Sequence, residues 1–120
     1  MRNYHILQIR FAPSLETYNS ITEILGTNPT ENESEYETDN IPNVWSYKVE
    51  VKEKDPYFDF INIFCDILEN KYNKLTMLGI QKDDFLFWVL YEYDQQCNME
   101  FDPDRMKRLG DNGISLCISC

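Results

Sequence analysis

The residues with the most chemistry to offer are five carboxylates at alternate positions, Glu31, Glu33, Glu35, Glu37 and Asp39, with Tyr36 set among them. Like charges with no base beside them do not make an acid–base pair. They make a local negative field, which steers cationic surfaces inward and repels phosphates. The rest of the chain adds to it: 21 acidic residues stand against 11 basic ones, for a formal charge of −10 at pH 7. That balance argues against nucleic acid and against anionic membranes as partners, and for a basic protein.

No catalytic kit accompanies the acids. The single histidine, His5, reads as a surface residue on the outer face of an N-terminal strand rather than as a general base. The pairs Asp83–Asp84 and Asp102/Asp104 fit solvation and helix capping, and Ser14 and Ser46 have no activating base in view. Asp102-Pro-Asp104 lacks the glycine and the further oxygen ligands of a calcium loop. Among the four cysteines, Cys65 lies in an apolar helical pattern and Cys97 in a turn-like stretch. Cys117 and Cys120 are spaced as Cys-x-x-Cys, but residues three apart on a strand point to opposite faces. A redox pair of that spacing normally opens a helix, whose dipole lowers the thiol pKa. The expectation is therefore no enzyme, no metal and no cofactor.

The elements that position these groups follow from periodicity. Residues 4–11 alternate as a half-buried strand, with Leu7, Ile9 and Phe11 on one face. Ser14 caps a helix that runs to Leu25, with Leu15, Tyr18, Ile21, Ile24 and Leu25 inward, and Gly26 stops it. Residues 27–42 form an acidic loop. Trp45, Tyr47, Val49 and Val51 alternate with polar residues as a second strand. Asp55-Pro56 opens the longest helix, whose apolar side runs from Tyr57 through Phe60, Phe64, Leu68 and Tyr72 to Leu75. Phe85–Tyr91 is apolar on both faces and predicts a central strand, or else an open face marked by Leu86, Trp88 and Leu90. Asp102-Pro103 starts a short helix with Met106 and Leu109 inward, and Asn112-Gly113 turns into a last strand carrying Ile114, Leu116 and Ile118.

The order β-α-loop-β-α-β-α-β over 120 residues predicts a single α+β domain, with a four- or five-stranded sheet and helices packed mainly on one face. Trp45, Tyr47, Val49, Phe60, Phe64, Leu116 and Ile118 are expected to share its core, in a monomer or weak dimer. The first ten residues hold no apolar run of signal-peptide length, and no stretch approaches the ~20 apolar residues of a membrane span, so a cytoplasmic protein is expected.

Several landmarks occur in a familiar order: Ile21-Thr-Glu-Ile-Leu-Gly26 with Pro29 after it, Trp45-Ser46-Tyr47 on a strand, a long aromatic-rich helix, and Phe101-Asp-Pro-Asp-Arg-Met-Lys-Arg-Leu-Gly110 before a terminal strand. Together they resemble the bacterial family called domain of unknown function 4279, over nearly the whole chain. The Glu-rich loop departs from that family's pattern, which has glycines and small residues there. The resemblance implies no established activity, and associates some members with immunity to neighbouring toxins.

Two functions remain. One is a non-enzymatic immunity or inhibitor protein that neutralises a basic, toxin-like partner through Glu31, Glu33, Glu35, Tyr36, Glu37 and Asp39, with Trp88 as an aromatic contact. The other is a small-molecule or peptide-binding module with an aromatic pocket around Trp45, Tyr47, Trp88 and Tyr91.

Overall fold

The computed structural model describes residues 2–30, 41–52, 54–92 and 98–120. The acidic positions 31–39 and Cys97 lie outside the described residues. Four strands, β1 (Arg2–Arg10), β2 (Val44–Lys52), β3 (Phe85–Tyr91) and β4 (Ser115–Ser119), form one sheet in the order β2-β1-β3-β4. β1 runs antiparallel to both of its neighbours, whereas β3 and β4 are parallel. The helix α4 (Pro103–Asp111) makes the crossover that a parallel pair requires. The expected α+β sheet is thus present, with four strands and a mixed pattern.

α1 (Leu15–Leu25) begins and ends where its caps dictate. Ser14 Oγ accepts the Thr17 N–H at 3.0 Å, and Gly26 takes the left-handed conformation, φ 63°, that closes the last turn. Lys71 Nζ reaches 3.2 Å to the Leu25 carbonyl and places a cation at the negative end of the helix. Leu15, expected to face inward, is 59% exposed. It is the first residue of the helix, and the buried positions Ile21 and Leu25 lie in its later turns.

The expected longest helix is two. α2 (Phe60–Leu68) is capped by Asp59 rather than Asp55, and α3 (Tyr72–Thr76) follows after a break at Asn70, whose φ is 69°. Asp55 instead closes a turn: its Oδ2 accepts the Lys52 N–H at 2.8 Å, and its own N–H donates to the Lys52 carbonyl.

Register sorts the inward residues into rows across the sheet. Trp45–Ile9–Phe85 and Tyr47–Leu7–Phe87–Leu116 lie beneath the helices. Onto them pack Ile21 and Leu25 of α1, Ile61, Phe64 and Leu68 of α2, Leu75 of α3 and Leu109 of α4. Trp45 is fully buried and its indole N–H donates to Thr22 Oγ1 at 3.0 Å. Phe64 meets Tyr47, Phe58, Phe60 and Phe87 edge to face. Of the expected core, Ile118 fails: it is 46% exposed, because β4 is an edge strand only five residues long. Met106 is likewise exposed, while Leu109 takes the inward position of α4.

Candidate functional site

Two further rows, Val49–His5–Val89–Ile118 and Val51–Asn3–Tyr91, continue the same face toward the start of β1. Here the helix layer runs out. Nine residues of strand span roughly 30 Å, whereas nine residues of α2 span roughly 13 Å. Phe60, the first residue of α2, stands over His5 with ring centroids 4.7 Å apart. Beyond it the sheet is faced by the irregular segments that lead into α2 and α4. The outcome is a cavity of about 390 Å³.

Its floor is Asn3, His5, Val51, Val89 and Tyr91; one wall is Lys52 with Asp55–Phe58 and Phe60, and the other is Asn98–Phe101. Five aromatic rings, Tyr57, Phe58, Phe60, Tyr91 and Phe101, contribute to the lining. Phe58 lies 5.4 Å from the His5 ring, and Phe101 meets Phe60 edge to face at 6.2 Å. Among the described lining residues there is no serine, threonine or cysteine.

Two polar atoms in this apolar setting are buried without a hydrogen-bond partner, His5 Nδ1 and Asn3 Oδ1. A buried donor or acceptor left unpaired costs about 1–3 kcal/mol, so native structures rarely leave one without a use. Burial also lowers the His5 pKa below its ordinary 6.5, which keeps the imidazole neutral at pH 7. Sequence reading placed His5 on the outer face. It is on the inner face, at the same parity as Leu7 and Ile9, and that parity was the available signal.

One guanidinium fastens the two walls together. Arg105 donates from Nε and Nη2 to the two oxygens of Asp59, each at 2.9 Å, and from Nη1 to Asp102 Oδ1 at 2.8 Å. Asp59 is the N-cap of α2 and Asp102 the N-cap of α4, so the ends of both walls share one cation. The hydrogen bonds from Arg105 hold the Asp59 carboxyl down at about 2, and they lower Asp102 as well. Tyr57 lies 6.0 Å from the same guanidinium, ring centroid to carbon.

The expected aromatic pocket is not assembled. Trp45 is in the core, Tyr47 packs against it, and Trp88 projects from the opposite face of the sheet, where its N–H donates to Gln8 Oε1 at 2.9 Å. Only Tyr91 of the four lines the cavity. Of the expected partner-contact residues, Trp88 is half-buried on that second face, which also carries Lys48, whose ammonium lies 4.2 Å over the Tyr4 ring. Glu31, Glu33, Glu35, Tyr36, Glu37 and Asp39 fall outside the described residues. Thr30, just before them, is tied to the outer edge of β2: its N–H donates to the Ser46 carbonyl at 2.7 Å and its Oγ1 accepts the Lys48 N–H at 3.0 Å.

Among the described residues, no three of His, Cys, Asp and Glu converge as metal ligands, and no helix is long and apolar enough to cross a membrane. Cys65, Cys117 and Cys120 are free thiols, and burial raises Cys65 to about 11. No protein-family model matches the chain, and comparison with curated proteins and with solved structures gives no match. What this chain does must then be read from its own geometry.

Proposed function

We propose that the protein is a non-enzymatic binding module whose ligand is a small molecule held in the cavity over Asn3 and His5. The observation that carries this is the pair of buried, unpartnered polar atoms, Asn3 Oδ1 and His5 Nδ1, on the floor of an aromatic-lined cavity of about 390 Å³. Small-molecule sites typically measure roughly 300–1,000 Å³, with apolar walls and a few polar groups that orient the ligand. A fragment screen by ¹H–¹⁵N NMR tests the reading. Shifts clustering at Asn3, His5, Tyr91 and Phe101 support it, and a screen that leaves those residues unmoved defeats it.

A second reading is favoured by the charge of −10 and by the five alternating carboxylates of the acidic run, which follows Thr30 in sequence. In it, Glu31–Asp39 recruits a basic protein, as an immunity or inhibitor protein would. Exchanging Glu33, Glu35 and Glu37 for Gln then slows association with a cationic partner and flattens its salt dependence, with less effect on dissociation. Unchanged association kinetics at low salt would dismiss it.

A further inference from the structure

Resting on the reading that the cavity takes a ligand, we propose that it is specific for an uncharged planar heteroaromatic ring of the nucleobase or nucleoside class, and that it rejects the phosphorylated forms. Asn3 and His5 sit two residues apart on one face of β1, which sets their side chains roughly 7 Å apart along the strand. An amide and a neutral imidazole each offer both a donor and an acceptor nitrogen or oxygen. Two such groups, set this far apart, suit polar atoms at opposite ends of a fused-ring heterocycle rather than neighbouring ones on a single edge. A hydrocarbon ligand would leave both unpaired.

The walls supply aromatic surface. Phe58, Phe60 and Phe101 all line the cavity, with Phe60 and Phe101 edge to face at 6.2 Å, and aromatic rings stack on heterocycles whatever the base, because every base has a π-face.

The mouth supplies the exclusion. Among the described lining residues, Asp55 and Glu100 are both exposed there, against the one exposed amine of Lys52. The carboxylates outnumber the amine at the rim and acids outnumber bases in the chain as a whole, so a phosphate meets repulsion at short and long range. His5, kept neutral by burial, offers it no counter-charge.

Calorimetric titration of the full chain with the four ribonucleosides, their 5′-monophosphates and indole tests the proposal, with NMR to place the bound probe. At least one nucleoside is expected to bind at the cavity. Its monophosphate, and indole with its bare carbocyclic edge, should each bind at least tenfold more weakly. His5→Phe and Asn3→Leu, each folded by its NMR dispersion, should each weaken the nucleoside by tenfold or more; if one variant does not fold, the other decides. A monophosphate or indole that binds as well as the nucleoside overturns the ligand class, as does nucleoside binding indifferent to the folded variants. If the cavity responds to library fragments but to none of these probes, the ligand class is wrong and the cavity reading survives. If no compound of any kind moves the cavity residues, both fall together.

Discussion

Arg105 grips Asp59 with two parallel N–H···O bonds of 2.9 Å each, joining residues 46 apart in sequence. The consequence is mechanical. The loop that ends at Asp59 and the loop that ends at Asp102 cannot separate without breaking charge-assisted bonds to one guanidinium. The pair is about a third exposed, so its worth is discounted for solvent. Arg105→Ala is expected to cost roughly 1–2 kcal/mol in urea unfolding. It should also raise amide exchange in 55–59 and 98–102 more than in α1. Arg105→Lys keeps the charge but loses the planar fork, and should restore less than half of the loss. Equal exchange in α1 and in the two loops would show that the clamp has no local role.

A neighbouring clamp joins α4 to the other end of α2. Arg108 donates to both oxygens of Glu69, at 2.7 and 3.1 Å, and to Asp66 at 2.6 Å. Its hydrogen bonds bring Glu69 down to about 2. With Asp59 also at about 2, both carboxylates contribute stability that is complete above their ordinary pKa values and fades as pH falls from about 4.5 toward 2.

Phe64 is the centre of the ring cluster and has no exposure at all. It touches rings from β2, β3, the cavity wall and its own helix. Phe64→Ala removes that ring and leaves a hole that the rigid sheet below cannot fill. A loss of about 3–5 kcal/mol is expected from denaturant unfolding, against about 1 kcal/mol or less for Phe64→Leu with repacking. A loss below about 1 kcal/mol for the alanine variant would mean that the core is not organised around this ring.

Much of the frame was legible because local signals and tertiary packing agree. Ser14 and Gly26 bound α1, Asp102-Pro103 opens α4, and the alternations of β1 and β2 name their buried faces. The break between α2 and α3 was not legible, since Leu68, Tyr72 and Leu75 keep helical spacing straight across it. Nothing in periodicity distinguishes an apolar stripe on one helix from the same stripe on two. The cavity was hidden for a different reason. It arises from a mismatch between strand length and helix length, which becomes visible only when the sheet and helix layers are superposed. His5 itself was within reach, by continuing the odd-numbered face from Ile9 through Leu7.

Asn70 carries the break, as the one non-glycine residue with positive φ among those described. Asparagine tolerates this conformation, whereas a β-branched residue meets a clash between its Cβ substituents and the backbone. Asn70→Gly should leave the melting temperature nearly unchanged. Asn70→Val should cost about 1–2 kcal/mol through the backbone alone. A neutral valine would mean that the connection relaxes into another conformation without loss.

The sharpest solution test concerns His5 and pH. Its folded pKa is below the ordinary 6.5 because burial against Phe58 and Phe60 disfavours the imidazolium. The unfolded chain therefore takes up the proton first as pH falls. Stability is complete above about pH 6.5 and declines below it, until the folded protein also protonates. One group moves at most one proton, so the slope it adds is at most about 1.4 kcal/mol per pH unit. His5→Phe keeps a ring in place and removes the proton, so the decline just below pH 6.5 should vanish while the loss below pH 4.5 remains. Asp59→Asn should do the reverse, sparing the upper window and softening the lower one. A bound ligand that hydrogen-bonds the neutral imidazole deepens the upper decline, because it stabilises the unprotonated form further. A His5→Phe profile that follows wild type through pH 6.5 would place the imidazole in water, and the floor of the cavity with it.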